Sequence, residues 1–131
     1  MHSNVNSVVG EPMSEPFCVR HVVYHLCSAE LWQQVFEVVS GVKWLLARAQ
    51  LEPLGLVLDL EHAAKFPDRN PHHQTVKLMG QALRMDIDEL RHDYRSVPSQ
   101  LVGRLIGYES REVQGLLAKL REWEGPLPQG W

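Results

Sequence analysis

The stretch C-V-R-H-V-V-Y-H-L-C, residues 18 to 27, supports two readings that lead to different folds. Val19, Val22, Val23 and Leu26 recur at i, i+3, i+4 and i+7, the spacing that lays one apolar stripe along a helix. The same residues set two histidines, four apart, between two cysteines, a pattern that also suits a metal site. On a helix at about 100° per residue, Cys18, His21 and His25 share a strip beside the stripe, whereas Cys27 points away from it. Cys18 and His25 would lie about 10 Å apart along the axis, too far for one zinc ion whose ligands sit roughly 2.0–2.3 Å away. Only His21 and His25 remain, as weak metal candidates that need further ligands such as His72 or His73 from across the fold. The cysteines, about 13 Å apart on that helix, exceed the roughly 7 Å that a disulfide spans, and read as small buried hydrophobes. The helical reading therefore governs this segment.

Downstream, Gly, Pro and Asn divide the chain into further helical segments, with almost no alternating period-2 stretch. A second helix is expected after Ser28 as N-cap, with Leu31, Trp32, Val35, Phe36 and Val39 as its stripe and Gly41 as its stop. A third runs through V-K-W-L-L-A-R-A-Q-L to Pro53, and a fourth covers L-G-L-V-L-D-L-E-H-A-A before the breaker P-D-R-N-P at 67 to 71. The fifth, at about 72 to 85, carries Val76, Met79, Ala82 and Leu83, and a short piece around D-E-L-R-H-D-Y follows it. Pro98 opens a sixth helix, a turn covers Tyr108 to Ser110, and a seventh carries Val113, Leu116, Leu117 and Leu120. The expectation is an all-α fold of about seven short helices, packed as consecutive antiparallel hairpins in an arm or irregular bundle. A flexible N-terminal arm at 1–15, a helical domain at 16–124 and a tail or linker at 125–131 complete the plan.

At 131 residues, 44% hydrophobic and 22% charged with a net charge of −3, the chain can bury one core and lacks the strong positive charge of a nucleic-acid coat. Two cysteines and no charged-then-apolar leader point to a cytoplasmic protein rather than a secreted disulfide scaffold. The longest apolar run, Leu54 to Leu58, falls far short of the roughly 20 residues that cross a bilayer. No phosphate-cradling G-x-x-x-x-G-K-[ST] loop and no G-x-S-x-G elbow occurs. D-I-D-E-L at 86 to 90 starts like a calcium loop but has Arg91 where the glycine is needed. Neither cysteine comes with an orienting acid or an oxyanion hole, so no enzyme and no cofactor are implied.

P-S-Q-L-V-G-R-L-I-G-Y-E-S-R-E-V-Q-G-L-L-A-K-L-R-E, starting at Pro98, has the spacing of a helix-turn-helix, with Gly103 and Gly107 suited to a tight crossing. On this alternative residues 98–123 bind DNA through Arg104, Arg111, Lys119 and Arg121. Glu112, Glu122 and Glu124 interleave with those cations and leave little net charge for phosphates, which disfavours nucleic acid as a partner.

A broader resemblance takes in R-H-V-V-Y-H-L, W-Q-Q-V-F-E-V-V-S-G-V-K-W-L-L-A-R-A-Q-L, Q-A-L-R, S-Q-L-V-G-R-L-I-G and G-L-L-A-K-L-R. These segments resemble the helical arm of apoptotic protease-activating-factor-like signalling proteins, over roughly Phe17 to Trp123. In that family the arm is a spacer and hinge between a nucleotide-binding module with its winged helix and a WD-repeat propeller. The resemblance implies a non-catalytic scaffold whose partners are proteins or neighbouring domains of the nucleotide-binding or propeller type. His21, Leu26, Trp44, Leu45, Leu46, Leu101, Gly103, Arg104 and Leu105 match as framework positions, which makes the histidines packing or capping groups. Trp32 and Trp44 are expected in the core, and Trp123 and Trp131 at an interface. Met85-Asp86-Ile87-Asp88 departs from the Leu-Ser-Ala-His of bacterial relatives, and Val97-Pro98 from their Asp-Pro turn. Neither the nucleotide switch nor the propeller is present in the chain, so nucleotide-driven assembly does not carry over.

Overall fold

In the computed structural model, Val19, Val22, Val23 and Leu26 are all buried along one face of the first helix, α1 (Pro16–Ser28). The structure describes residues 16–123, so the expected arm at 1–15, the tail at 125–131 and Trp131 lie outside the described residues. Seven further helices follow among the described residues: α2 (Trp32–Val39), α3 (Val42–Leu51), α4 (Pro53–Ala63), α5 (His73–Met85), α6 (Ile87–His92), α7 (Val97–Leu105) and α8 (Arg111–Arg121). No strand occurs among these residues. The architecture is all-α, and the short piece expected after the fifth helix is α6, followed by a single 3-10 turn at Tyr94–Ser96.

The link from α1 to α2 differs from the sequence expectation. Ser28 is the last residue of α1 rather than the cap of α2, and Leu31 precedes α2 without a side-chain cap. The physical reason is a Schellman-type end. The Leu31 amide reaches the Leu26 carbonyl at 3.0 Å and the Glu30 amide reaches that of Cys27 at 3.0 Å. Glu30 carries the turn at φ 57°, a left-handed conformation that glycine would adopt with less strain. Gly41, expected as the stop of α2, has φ −87° and instead precedes α3, while the Ser40 hydroxyl closes α2 by donating to the Phe36 carbonyl at 2.6 Å.

Pro53 begins α4 directly after the extended Glu52, so the fixed φ of proline turns the chain without a loop. α4 is the central helix: Leu56, Val57, Leu60, Ala63 and even Asp59 are buried, because α1, α3 and α5 all pack on it. Gly80 lets α5 come close, its missing side chain facing Leu60 Cβ at 3.4 Å. The breaker loop is fastened by buried Asn70, whose amide donates to the Ala63 carbonyl at 3.1 Å and whose oxygen accepts from the His72 amide at 2.9 Å.

A continuous core takes a side chain from every helix, including Val22, Val35, Leu45, Leu60, Met79, Leu90, Leu101 and Leu117. Sequential pairs α1–α2, α3–α4, α4–α5 and α7–α8 pack together, but so do α1–α4 and α5–α7. The result is an irregular bundle folded back on itself. Trp44 is buried and ties α3 to α1 by donating from Nε1 to the Val19 carbonyl at 3.1 Å, whereas Trp32 is half-buried against Phe66.

Candidate functional site

The α5–α7 packing leaves a groove of about 220 Å³ lined by Leu78, Gln81, Ala82 and Met85 of α5, Arg104 and Leu105 of α7, and Tyr108 beyond it. Its floor, Leu78, Ala82 and Leu105, is buried. Two of its lining residues are unusually exposed for side chains of this kind, Met85 at 66% and Tyr108 at 45%. Their exposure runs against the burial trend of the other large hydrophobic residues.

Local rules explain how these residues reach the rim. Met85 is the last residue of α5 and sits off the buried stripe of Val76, Met79 and Leu83, so the helix turns it outward. Ile106 follows the last residue of α7, and the Tyr108 amide closes the turn on the Leu105 carbonyl at 3.1 Å. Gln114 then reaches back from α8 and donates to the Tyr108 carbonyl at 2.5 Å. Arg104 is fixed by a two-point pair with Asp86, Nη2 to Oδ1 at 2.7 Å and Nε to Oδ2 at 3.1 Å, with Met85 Sδ 4.0 Å from Nη1. That pairing raises the Arg104 pKa above its ordinary value. The groove therefore offers an apolar floor and a neutralised charge pair, an arrangement for docking an apolar side chain rather than for moving protons.

A second polar cluster joins α2, α5 and α8. Glu112 receives the His72 ring at 2.5 Å from Nδ1 and the Thr75 hydroxyl at 2.6 Å, while His72 Nε2 lies 3.2 Å from Gln33 Oε1. The His72 ring stacks on Phe36 with centroids 4.4 Å apart. This network clamps the start of α8 to the body of the fold. His72 is thereby committed to a structural role, far from joining His21 and His25.

The other sequence candidates are dispersed. His21 and His25 are exposed on α1 and line a depression of about 190 Å³ with Tyr24 and Ser28. Among the described residues no three His, Cys, Asp or Glu side chains are grouped to hold a metal ion. Cys18 is half-buried and Cys27 buried, both as free thiols, and burial followed by the Asp59 charge pushes the Cys27 thiol up to about 11. Trp123 packs back against the core, its Nε1 buried without a hydrogen-bond partner.

Of the four cations suited to DNA, Arg104 is held by Asp86, and Lys119 donates to the Ser40 hydroxyl at 3.1 Å. Arg111 and Arg121 are exposed at opposite ends of α8, about 15 Å apart along its axis. Gly103 and Gly107, expected at a tight helix crossing, face open space, while Leu101 and Leu105 of α7 and Leu116 and Leu117 of α8 are the side chains that are buried. The close approaches lie elsewhere, at Gly80 and at Gly55.

Compared with known proteins, the chain matches no family model, no curated protein and no solved structure.

Of the positions that resemble the helical arm, Leu26, Trp44, Leu45, Leu46, Leu101 and Leu105 are buried, and His21, Gly103 and Arg104 are exposed. The stretch that departs from that pattern, Met85 to Asp88, supplies the groove with Met85 and its Arg104 with the partner Asp86. Sequence reasoning passed over Met85 and Tyr108 as groove residues. The available signal was an apolar residue displaced from its helix's own stripe.

Proposed function

We propose that this chain is a non-catalytic helical interaction module, acting in the cytoplasm, that presents the α5–α7 groove to a protein partner. The observation that carries the reading is the exposure of Met85 and Tyr108 beside a floor of buried Leu78, Ala82 and Leu105. The groove brings together no nucleophile with a base, and the ion pair on its rim is already satisfied. The resemblance to the helical arm of apoptotic protease-activating-factor-like proteins agrees with this role, since that arm works by holding neighbouring nucleotide-binding and propeller domains. No helix among the described residues is long and apolar enough to cross a membrane.

The test combines two measurements on the full chain. Met85→Gln with Tyr108→Gln should leave stability within about 0.5 kcal/mol of the parent, because both side chains are exposed. The same pair should remove the protein complexes recovered after cross-linking in cells. A generic DNA duplex should not bind in a salt-dependent way. Complexes that survive the double substitution, or steeply salt-dependent duplex binding, would overturn the reading.

A further inference from the structure

The fold places the two histidines of the opening stretch at the edge of one concavity. His21 and His25 lie one turn apart on α1, a spacing that puts their Cβ atoms about 5–6 Å from each other. Both are exposed, and both line the depression that also contains Tyr24 and Ser28. The helix beneath them is anchored by buried Val19, Val22, Val23 and Leu26, so their backbone positions are fixed before any ligand arrives.

We propose that His21 and His25 hold a divalent transition-metal ion of the nickel, copper or zinc class in this depression, each through one imidazole nitrogen, with water completing the shell. Imidazole is the ligand that these ions favour, and an exposed site with two protein ligands leaves the remaining positions to solvent. Such an ion clips one turn of α1. It stabilises the native helix because the unfolded chain does not hold the two rings in register.

Asp59, at 2% exposure, has its carboxylate held by Arg48 Nε at 2.8 Å, so the two histidines are the protein ligands of the site. Tyr24 stacks on His62 with centroids 4.1 Å apart, and burial keeps its phenol protonated above the ordinary range, with Asp59 adding to the shift. The phenol is thus a neutral neighbour for metal-bound water and brings no competing cation. The site lies apart from the α5–α7 groove, so the two readings stand or fall separately.

Urea unfolding of the full chain with increasing NiCl2 tests the proposal, in the parent, in His21→Ala, in His25→Ala and in His92→Ala, which alters an exposed histidine on α6. The unfolding midpoint should rise with metal in the parent and in His92→Ala, and the rise should vanish in the other two. Paramagnetic broadening of histidine ring signals should reach His21 and His25 before any other histidine. Should His21→Ala weaken the fold, His25→Ala decides the matter. A midpoint indifferent to metal in the parent, or a rise that persists in His25→Ala, would overturn the proposal.

Discussion

Two arginine–aspartate pairs with almost the same closest distance sit in different environments. Arg48 Nε meets Asp59 Oδ2 at 2.8 Å with side chains only 9% and 3% exposed, whereas Arg104 Nη2 meets Asp86 Oδ1 at 2.7 Å with 41% and 11% exposed. Distance does not distinguish them, but desolvation does. Burial pushes the Asp59 carboxyl above its ordinary range, against the hydrogen bond and charge of Arg48. An interior pair of this kind fixes one arrangement of α3 against α4 and contributes little net stability. The surface pair holds its own side chains still at the rim of the α5–α7 groove. The interior pair therefore belongs to folding, and the rim pair to the surface proposed above for a partner.

The contrast is most exposed to test at Asp59. Asp59→Ala strands the Arg48 charge in the core and should lower stability by about 3–5 kcal/mol in urea unfolding. Arg48→Met combined with Asp59→Leu should recover most of that loss, since apolar side chains of similar volume replace the pair without leaving a buried charge. If both changes cost the same, the interior pair is not the constraint described.

Gly55→Ala attacks the same pair indirectly. A Cβ there would meet Arg48 Nη2 at 2.5 Å, and Arg48 cannot swing away while Asp59 holds it. The expected loss is about 1–3 kcal/mol, partly offset by the roughly 1 kcal/mol that alanine gains over glycine in a helix. At the rim, Asp86→Ala should change stability by less than about 1 kcal/mol, because the Arg104 left behind is 41% exposed and reaches water. A loss comparable with that of Asp59→Ala would erase the distinction between the two sites.

The smallest expected effect concerns Cys27, which senses the buried pair without joining it. Its thiol pKa is raised in the folded chain from 9.0 to about 11, by burial first and Asp59 second. The native state therefore keeps a proton that the unfolded state releases. Stability linked to this group is complete below pH 9 and declines as pH rises toward about 11. Cys27→Ala should flatten that alkaline decline, and a thiol reagent near neutral pH should leave Cys27 unmodified until the chain unfolds.

Much of the fold was legible because periodicity reports burial directly. The stripes of α1, α5 and α8 named their buried faces, and Pro53 marked the junction of α3 and α4. What the sequence could not convey was geometry carried by single residues. Ser28 looked like an N-cap, but backbone hydrogen bonds from Glu30 and Leu31 ended α1 first. Gly103 and Gly107 looked like crossing points, yet the glycines used for close approach are Gly55 and Gly80, which nothing in local composition separates from the others. Asp59 sits within an apolar run where a polar side chain reads as exposed, and only the tertiary position of Arg48 explains it. The groove was hidden for the same reason, since its members come from α5, α7 and the turn after it, and only their packing makes a surface.

The most direct test of the account compares photo-cross-linking side chains placed at Tyr108 and at Leu58 in the full chain within cells. Both positions are exposed, at 45% and 44%, but only Tyr108 lines the groove. The account predicts a discrete protein adduct at position 108 that disappears with Met85→Gln, and none of comparable yield at position 58. Equal adducts at both positions, or an adduct at 108 indifferent to Met85→Gln, would contradict a docking role for the α5–α7 groove.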